Sequence, residues 1–200
     1  MKDYDWLHLL NKYKQLVKPN FTVLEIGAST QARTEELSLY CQNLIGVEYY
    51  KKRLLKNKNN IQYLLGDWQK LTKIIKPNTI DLAISSHTLE HIPNDYEAIK
   101  QLYQVLKPSS FAILITPNRK RLTRFIIELF TKEKKFPHWE HFREYTENDL
   151  IKLLNKSDFK YYKITPIVFG FHFGKIRICT TKVPLIFKKF AYCWEIILKK

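Results

Sequence analysis

Three carboxylates stand at the ends of apolar runs: Glu25 in "FTVLEIG", Glu48 closing "NLIGVE" and Asp67 closing "IQYLLGD". Glu48 follows Gly27 by roughly 20 residues, the spacing at which a carboxylate receives ribose hydroxyls. Asp67 has Trp68 beside it, an acid and a ring face suited to an adenine amine and its heterocycle. A fourth run, "TIDLAIS", leads through Ser85 and Ser86 into His87, Glu90 and His91, and imidazoles accept a proton near neutral pH. Taken singly, each has a plainer reading: an acid at a strand end caps a turn, and a tryptophan fills a core. Together, acids closing three successive runs make a binding constellation.

The turn that closes the first run is "LEIGASTQ". Nucleotide turns usually hold two or three glycines at this point, and this one holds only Gly27. His87, Glu90 and His91 have i, i+3, i+4 spacing, which predicts one shared helix face. His138 or His141 of "PHWEHF" would complete a metal-ligand set. A histidine in its first position weakens the preference for a hard ion such as magnesium, and no metal is assigned.

These residues need elements to position them. Apolar spacing predicts a helix over residues 4 to 18, stopped by Pro19. "FTVLEI", "NLIGVE", "IQYLLGD", "TIDLAIS" and "FAILITP" read as five buried strands. Between them "ARTEELSLYC", the basic "YYKKRLLKNK", "WQKLTKIIK" and "DYEAIKQLYQVLK" read as helices. This alternation predicts parallel βαβ units in a doubly wound sheet. Right-handed crossovers then bring all the strands' carboxyl ends to one rim, where ligands bind in open α/β sheets. A basic helical piece and a loop rich in histidine and aromatics come next, and Thr146 and Asp149 form a capping box. "FKYYKIT" and "GKIRICTT" read as late strands, and the tail from Pro184 reads as helical, its lysines and aromatics suggesting either packing on the sheet or peripheral membrane contact through 184–200.

The chain of 200 residues reads as a single domain: an N-terminal helix over 1–18, a core over 22–116, an insertion at the rim over 117–145, and a closing part over 146–200. Phe125, Phe130, Phe136, Trp139 and Phe142 of the insertion would line an acceptor pocket or pack as its own core. Three widely spaced cysteines speak against a disulfide framework and for a reducing, cytoplasmic setting. The N-terminus lacks the long apolar stretch of a signal peptide, and no run approaches the length of a spanning helix. The net charge of +15 suggests an anionic partner such as nucleic acid. The excess is mostly lysine, alongside abundant asparagine and isoleucine, and reads first as a compositional bias.

Residues 22 to about 157 resemble a class I S-adenosylmethionine-dependent methyltransferase of the small-molecule type. "VLEIGAST" resembles the family's first motif, "GVE" its second-strand acid, and "GD" its adenine-contacting acid. "DLAISSHTLEHIPN" resembles the fourth-strand motif, with its Leu-Glu-His ending. "LYQVLKPSSFAILITPN" and "HFREYTENDLIKLLNKSDF" resemble the segments around strand five and before strand six. The resemblance implies a Rossmann-like sheet of seven strands, mostly parallel with the last antiparallel, and helices on both faces. It implies S-adenosyl-L-methionine as cofactor, held by Glu25, Gly27, Ala28, Ser29, Glu48, Asp67, Trp68 and Ser85. His91 and His87 would stand on the acceptor side as catalytic bases. The expected reaction is methyl transfer to a small-molecule or lipid- or sugar-linked acceptor, O-methylation included. An RNA methyltransferase and a non-catalytic binding protein of the same fold are the alternatives. Ser29 and Gln31 replace later turn glycines of the family, and Ser109-Ser110 replace its Gly-Gly. A serine forced to positive φ at position 29 would cost about 1–3 kcal/mol.

Overall fold

The computed structural model describes residues 4–130, 141–173 and 176–200. Helix α1 (Tyr4–Leu16) precedes β1 (Thr22–Ile26), α2 (Gln31–Ser38), β2 (Asn43–Glu48), β3 (Ile61–Leu65) and β4 (Ile80–Ser86). Then come α3 (Asp95–Val105), β5 (Leu106–Pro117), α4 (Leu122–Phe130), α5 (Glu147–Asn155), β6 (Tyr161–Ile167), β7 (Phe169–Phe173), β8 (Ile176–Thr180) and β9 (Cys193–Lys199). Seven strands form one sheet in the order β3-β2-β1-β4-β5-β9-β6. β1 to β5 run parallel, and β9 lies antiparallel between β5 and β6. This is the Rossmann-like sheet expected from the sequence.

The period-two geometry of a strand sends alternate side chains to opposite faces. On β1, Leu24 and Ile26 join a cluster with Ala98, Leu102 and Leu150 of α3 and α5. Val23 faces the other way, with Leu9, Tyr13 and Leu37 of α1 and α2. Glu25 shares the parity of Val23 and so lies on the α1/α2 face. The capping box at Thr146 and Asp149 opens α5 as expected.

Four expectations are corrected. The basic stretch after β2 forms only a 3-10 turn over Lys51–Arg53. The tail forms a 3-10 turn (Leu185–Phe190) and then β9, so it is not a helix. Its Trp194, Ile196 and Leu198 pack into the α3/α5 cluster at strand spacing. Peripheral membrane contact by an amphipathic tail helix therefore lacks its helix. "GKIRICTT" does give a strand, β8, but it pairs with β7 in a separate two-stranded ribbon. His87 is not helical: it follows β4 with φ 53, and the 3-10 turn begins only at Leu89. Of the aromatics assigned to the insertion, Phe136 and Trp139 lie outside the described residues, as does His138. Among the described residues, no helix is long and apolar enough to cross a membrane.

Ser29 does not adopt positive φ, whereas Ser109 does, at 65°. The strain attached to the missing glycines therefore sits near the start of β5, at the opposite end of the sheet from the turn. Ser109→Gly is expected to relieve about 1 kcal/mol of left-handed strain, less the entropy glycine adds to the unfolded chain. A Tm gain of roughly 1–3 °C by calorimetry is the expected result, with cofactor affinity unchanged. A fall in Tm would contradict it.

Candidate functional site

The carboxyl ends of β1, β2, β3 and β4 surround a cavity of about 580 Å³, within the range of small-molecule sites. Glu25, Gly27, Ser29, Glu48, Asp67, Trp68, His87 and His91 all line it. Two residues of the expected set do not. Ala28 is fully buried behind the turn, where a Cβ on Gly46 would come within 2.8 Å of its methyl group. Ser85 is also buried, and its hydroxyl donates to the Ile26 carbonyl at 3.0 Å. Both hold the rim together behind the wall, and Ser86 takes the wall position next to Ser85.

The turn is anchored by its backbone. Gly27 and Ala28 donate to the Val47 carbonyl at 2.8 and 3.2 Å, and Ser29 donates to the Gly27 carbonyl at 2.8 Å. Gly27 has φ 84, and a Cβ there would lie 2.3 Å from Thr88 Oγ1. One glycine is thus required by both conformation and space, and the positions of Ser29 and Gln31 need none.

Glu25 is buried, and its Oε2 has no hydrogen-bond partner among the described residues. Burial pushes its pKa up to about 7, although a Thr34 hydrogen bond and the Arg33 charge act in the opposite direction. Glu48 is buried with Oε1 accepting from the Tyr50 amide at 2.8 Å. Asp67 Oδ1 accepts from the Gln69 amide at 2.9 Å, so it caps the 3-10 turn at Trp68–Lys73 while facing the cavity. Trp68 is buried, and its indole N–H has no partner among the described residues.

The histidines separate. His87 Nε2 lies 3.1 Å from Asp5 Oδ2, and its Nδ1 lies 3.4 Å from Glu90 Oε1. Burial disfavours the charged ring, but Cys193, Asp5 and Glu90 outweigh it and hold its pKa well above the usual imidazole range. Burial in turn pushes the Cys193 thiol up to about 12. His91 instead meets His141 edge-to-face, ring centroids 4.7 Å apart. His141 Nδ1 is 3.1 Å from Glu144 Oε1, and Arg121 grips Glu144 through both guanidinium nitrogens at 2.8 and 3.0 Å. Burial would raise the Glu144 pKa, but His141 and Arg121 bring it down to about 2. The expected metal-ligand face is therefore divided, with His87 on one side and Glu90, His91 and His141 gathered on the other.

Sequence reasoning missed several wall residues. Trp6 of α1 lines the cavity with Arg33 of α2 over its ring, the guanidinium carbon 5.1 Å from the centroid. Tyr49, Tyr50, Thr88, Ile92 and Pro93 complete much of the rest, whereas Phe142, one of the aromatics expected to line an acceptor pocket, does lie on the wall. Glu48-Tyr49-Tyr50 carried a usable signal, since residues just past a strand-end acid fall on the same rim. Trp6 carried none, because helical periodicity alone assigns it to the core.

Residues 24–114 match the sequence family described as "Methyltransferase domain". Over that span the chain is similar to a methyltransferase domain. Solved structures share its fold. A methyltransferase of Thermotoga maritima, described as a possible histamine N-methyltransferase, superposes with TM-score 0.69 at 20% identity, over 98% of this chain and 89% of the other. A methyltransferase of Archaeoglobus fulgidus gives 0.67 at 20% identity, over 96% and 92%. A putative methyltransferase of Haloferax volcanii, solved with the Trm112 methyltransferase activator, gives 0.68 at 10% identity, over 98% and 90%. No curated protein sequence matches the chain. The fold is that of class I methyltransferases, and S-adenosylmethionine is the cofactor that belongs with this domain.

Proposed function

We propose that the chain transfers the methyl group of S-adenosylmethionine to a small-molecule acceptor, sugar- or lipid-linked compounds included. The observation that carries this reading is the Glu25 carboxylate, buried on the cavity wall beside the Gly27 turn with Oε2 unpartnered among the described residues. A buried carboxylate oxygen without a donor is costly, and an amino group such as that of the cofactor's methionine part would satisfy it. Backbone at Gly27 to Ser29 would then pass along the methionine portion. Glu48, with Oε1 fixed by Tyr50, would accept from the ribose hydroxyls. Asp67 would accept from the adenine amine, with Trp68 against the ring.

The bound cofactor supplies an electrophilic methyl group on a sulfonium, and transfer is a direct displacement. The protein's part is alignment and exclusion of water. Ile92, Pro93 and Phe142 close the cavity on the side of His91 and His141. His91, on the cavity wall, would take a proton from a hydroxyl acceptor. His87, held between two carboxylates with a raised pKa, is protonated at neutral pH and takes no base role in this proposal.

Calorimetric titration with S-adenosylmethionine and its demethylated product tests the reading. Wild type is expected to bind both, and Glu48→Ala is expected to bind about 10- to 100-fold more weakly, the range for losing a hydrogen bond to a charged group. No heat with either compound would reject the proposal. Unchanged affinity in Glu48→Ala would reject the ribose contact.

A further inference from the structure

Three side chains from separate elements converge beside the cavity: Asp5 of α1, His87 after β4 and Cys193 of β9. We infer that they form a binding site for a divalent zinc-like ion, with Asp5 Oδ2, His87 Nε2 and Cys193 Sγ as ligands. The inference does not rest on the methyltransferase reading.

The three atoms stand at metal-ligand spacing. Asp5 Oδ2 and His87 Nε2 are 3.1 Å apart, Cys193 Sγ and Asp5 Oδ2 3.7 Å, and Cys193 Sγ and His87 Nε2 3.9 Å. Around a tetrahedral zinc, bond lengths of about 2.0–2.1 Å to N or O and 2.3 Å to S set ligand separations of about 3.3 Å for N···O and about 3.6 Å for pairs that include sulfur. The observed triangle is close to one face of that figure. One thiolate, one imidazole and one carboxylate form a borderline-soft set that suits zinc, whereas magnesium and calcium take oxygen ligands.

Glu90 supplies an independent observation. It is fully buried, and among the described residues its Oε1 has no hydrogen-bond partner although it lies 3.4 Å from His87 Nδ1. A metal-bound histidine almost always gives its other ring N–H to a carboxylate, carbonyl or water, which fixes the tautomer and raises the ligand's basicity. With Nε2 on the ion, Nδ1 carries the hydrogen and Glu90 Oε1 gains its donor. His87 also lines the cavity, so the fourth coordination position faces a space that admits water or a small ligand. Binding forms S–metal, N–metal and O–metal bonds, displaces water from the aquo ion and releases two protons to solvent, one from the Cys193 thiol and one from Nε2 of the His87 imidazolium.

The ion would also brace α1. β9 directs Cys193 and Glu195 to the same face, and α1 presents Asp5 and His8 to them, with His8 Nε2 2.8 Å from Glu195 Oε2. An ion on Asp5 and Cys193 would tie the start of α1 to the sheet one residue before Trp6, a wall residue of the cofactor cavity.

The test uses the full chain, stripped of metal by chelation and kept reduced. Zinc(II) titration is expected to give one tight equivalent and a raised Tm. Cobalt(II) is expected to give a thiolate-to-metal charge-transfer band in the near ultraviolet. Cys193→Ser is expected to abolish that band and, like Asp5→Asn, to weaken zinc at least 10-fold. Glu90→Gln is expected to weaken it by roughly 10- to 100-fold. Cys41→Ser and the double variant His91→Gln/His141→Gln are expected to bind as wild type does. Absence of zinc binding overturns the proposal, as does binding that survives Cys193→Ser and is lost in the His91/His141 variant. Circular dichroism of each apo variant separates loss of the site from loss of the fold.

Discussion

Gly27→Ala is expected to destabilise the protein by about 2–5 kcal/mol and to reduce cofactor binding to the limit of detection. Two physical costs add. An L-residue in the left-handed region costs roughly 1–2 kcal/mol, and Gly27 has φ 84. Forcing a methyl group into filled space costs about 1–3 kcal/mol more, and here it would meet Thr88 Oγ1 at 2.3 Å. The turn cannot relax freely, because Gly27 and Ala28 both donate to the Val47 carbonyl. The two costs are separable. Thr88→Ala in the Gly27→Ala background removes the hydroxyl and leaves the dihedral strain, so about half of the lost stability should return. Chemical denaturation of the four proteins gives the coupling energy directly. If Gly27→Ala is within about 0.5 kcal/mol of wild type, the turn is more plastic than its hydrogen bonds imply.

This glycine also shows where the sequence is informative. A single glycine at the end of β1 reads as a degraded nucleotide turn, with Ser29 as the strained position. Within this turn the backbone instead needs positive φ only at Gly27, and the residue that bears the cost of a missing glycine is Ser109 near the start of β5. Strand-end acids were legible because parallel strands separated by helices leave little choice of topology, so Glu25, Glu48 and Asp67 had to share a rim. The neighbourhood of His87 was not legible. Its partners Asp5 and Cys193 are 82 and 106 residues away in sequence, and the second comes from a strand whose spacing reads as helical. There, Phe187, Phe190, Trp194 and Ile197 repeat at helical intervals, while Trp194, Ile196 and Leu198 alternate as a strand does. Pairing on both sides, with β5 and β6, decides for the strand. Local periodicity could not have decided it.

Glu25→Gln is the second large effect, and its sign depends on pH. The carboxyl's pKa is raised from 4.5 to about 7 by burial, so between these values the folded chain holds a proton that the unfolded chain has released. Stability contributed by this group is therefore intact at low pH, falls as pH rises through that window, and levels off above about 7. The full shift corresponds to about 3 kcal/mol. Glutamine cannot ionise, so the variant should match wild type near pH 4.5 and exceed it above about pH 7 by up to about 3 kcal/mol, less the cost of any amide hydrogen left unbonded. Cofactor binding should move the opposite way. An ammonium group beside Oε2 favours the ionised carboxylate, so wild-type affinity should rise between about pH 5.5 and 7.5. The glutamine variant should bind roughly 10- to 100-fold more weakly at about pH 7.5 and show little pH dependence. Denaturant melts across pH, paired with calorimetry at the two pH values, test both halves together. A wild-type affinity that is flat across this range would separate Glu25 from the cofactor's amino group. A variant that gains stability without losing affinity would leave the carboxylate as a buried liability with no ligand to answer it.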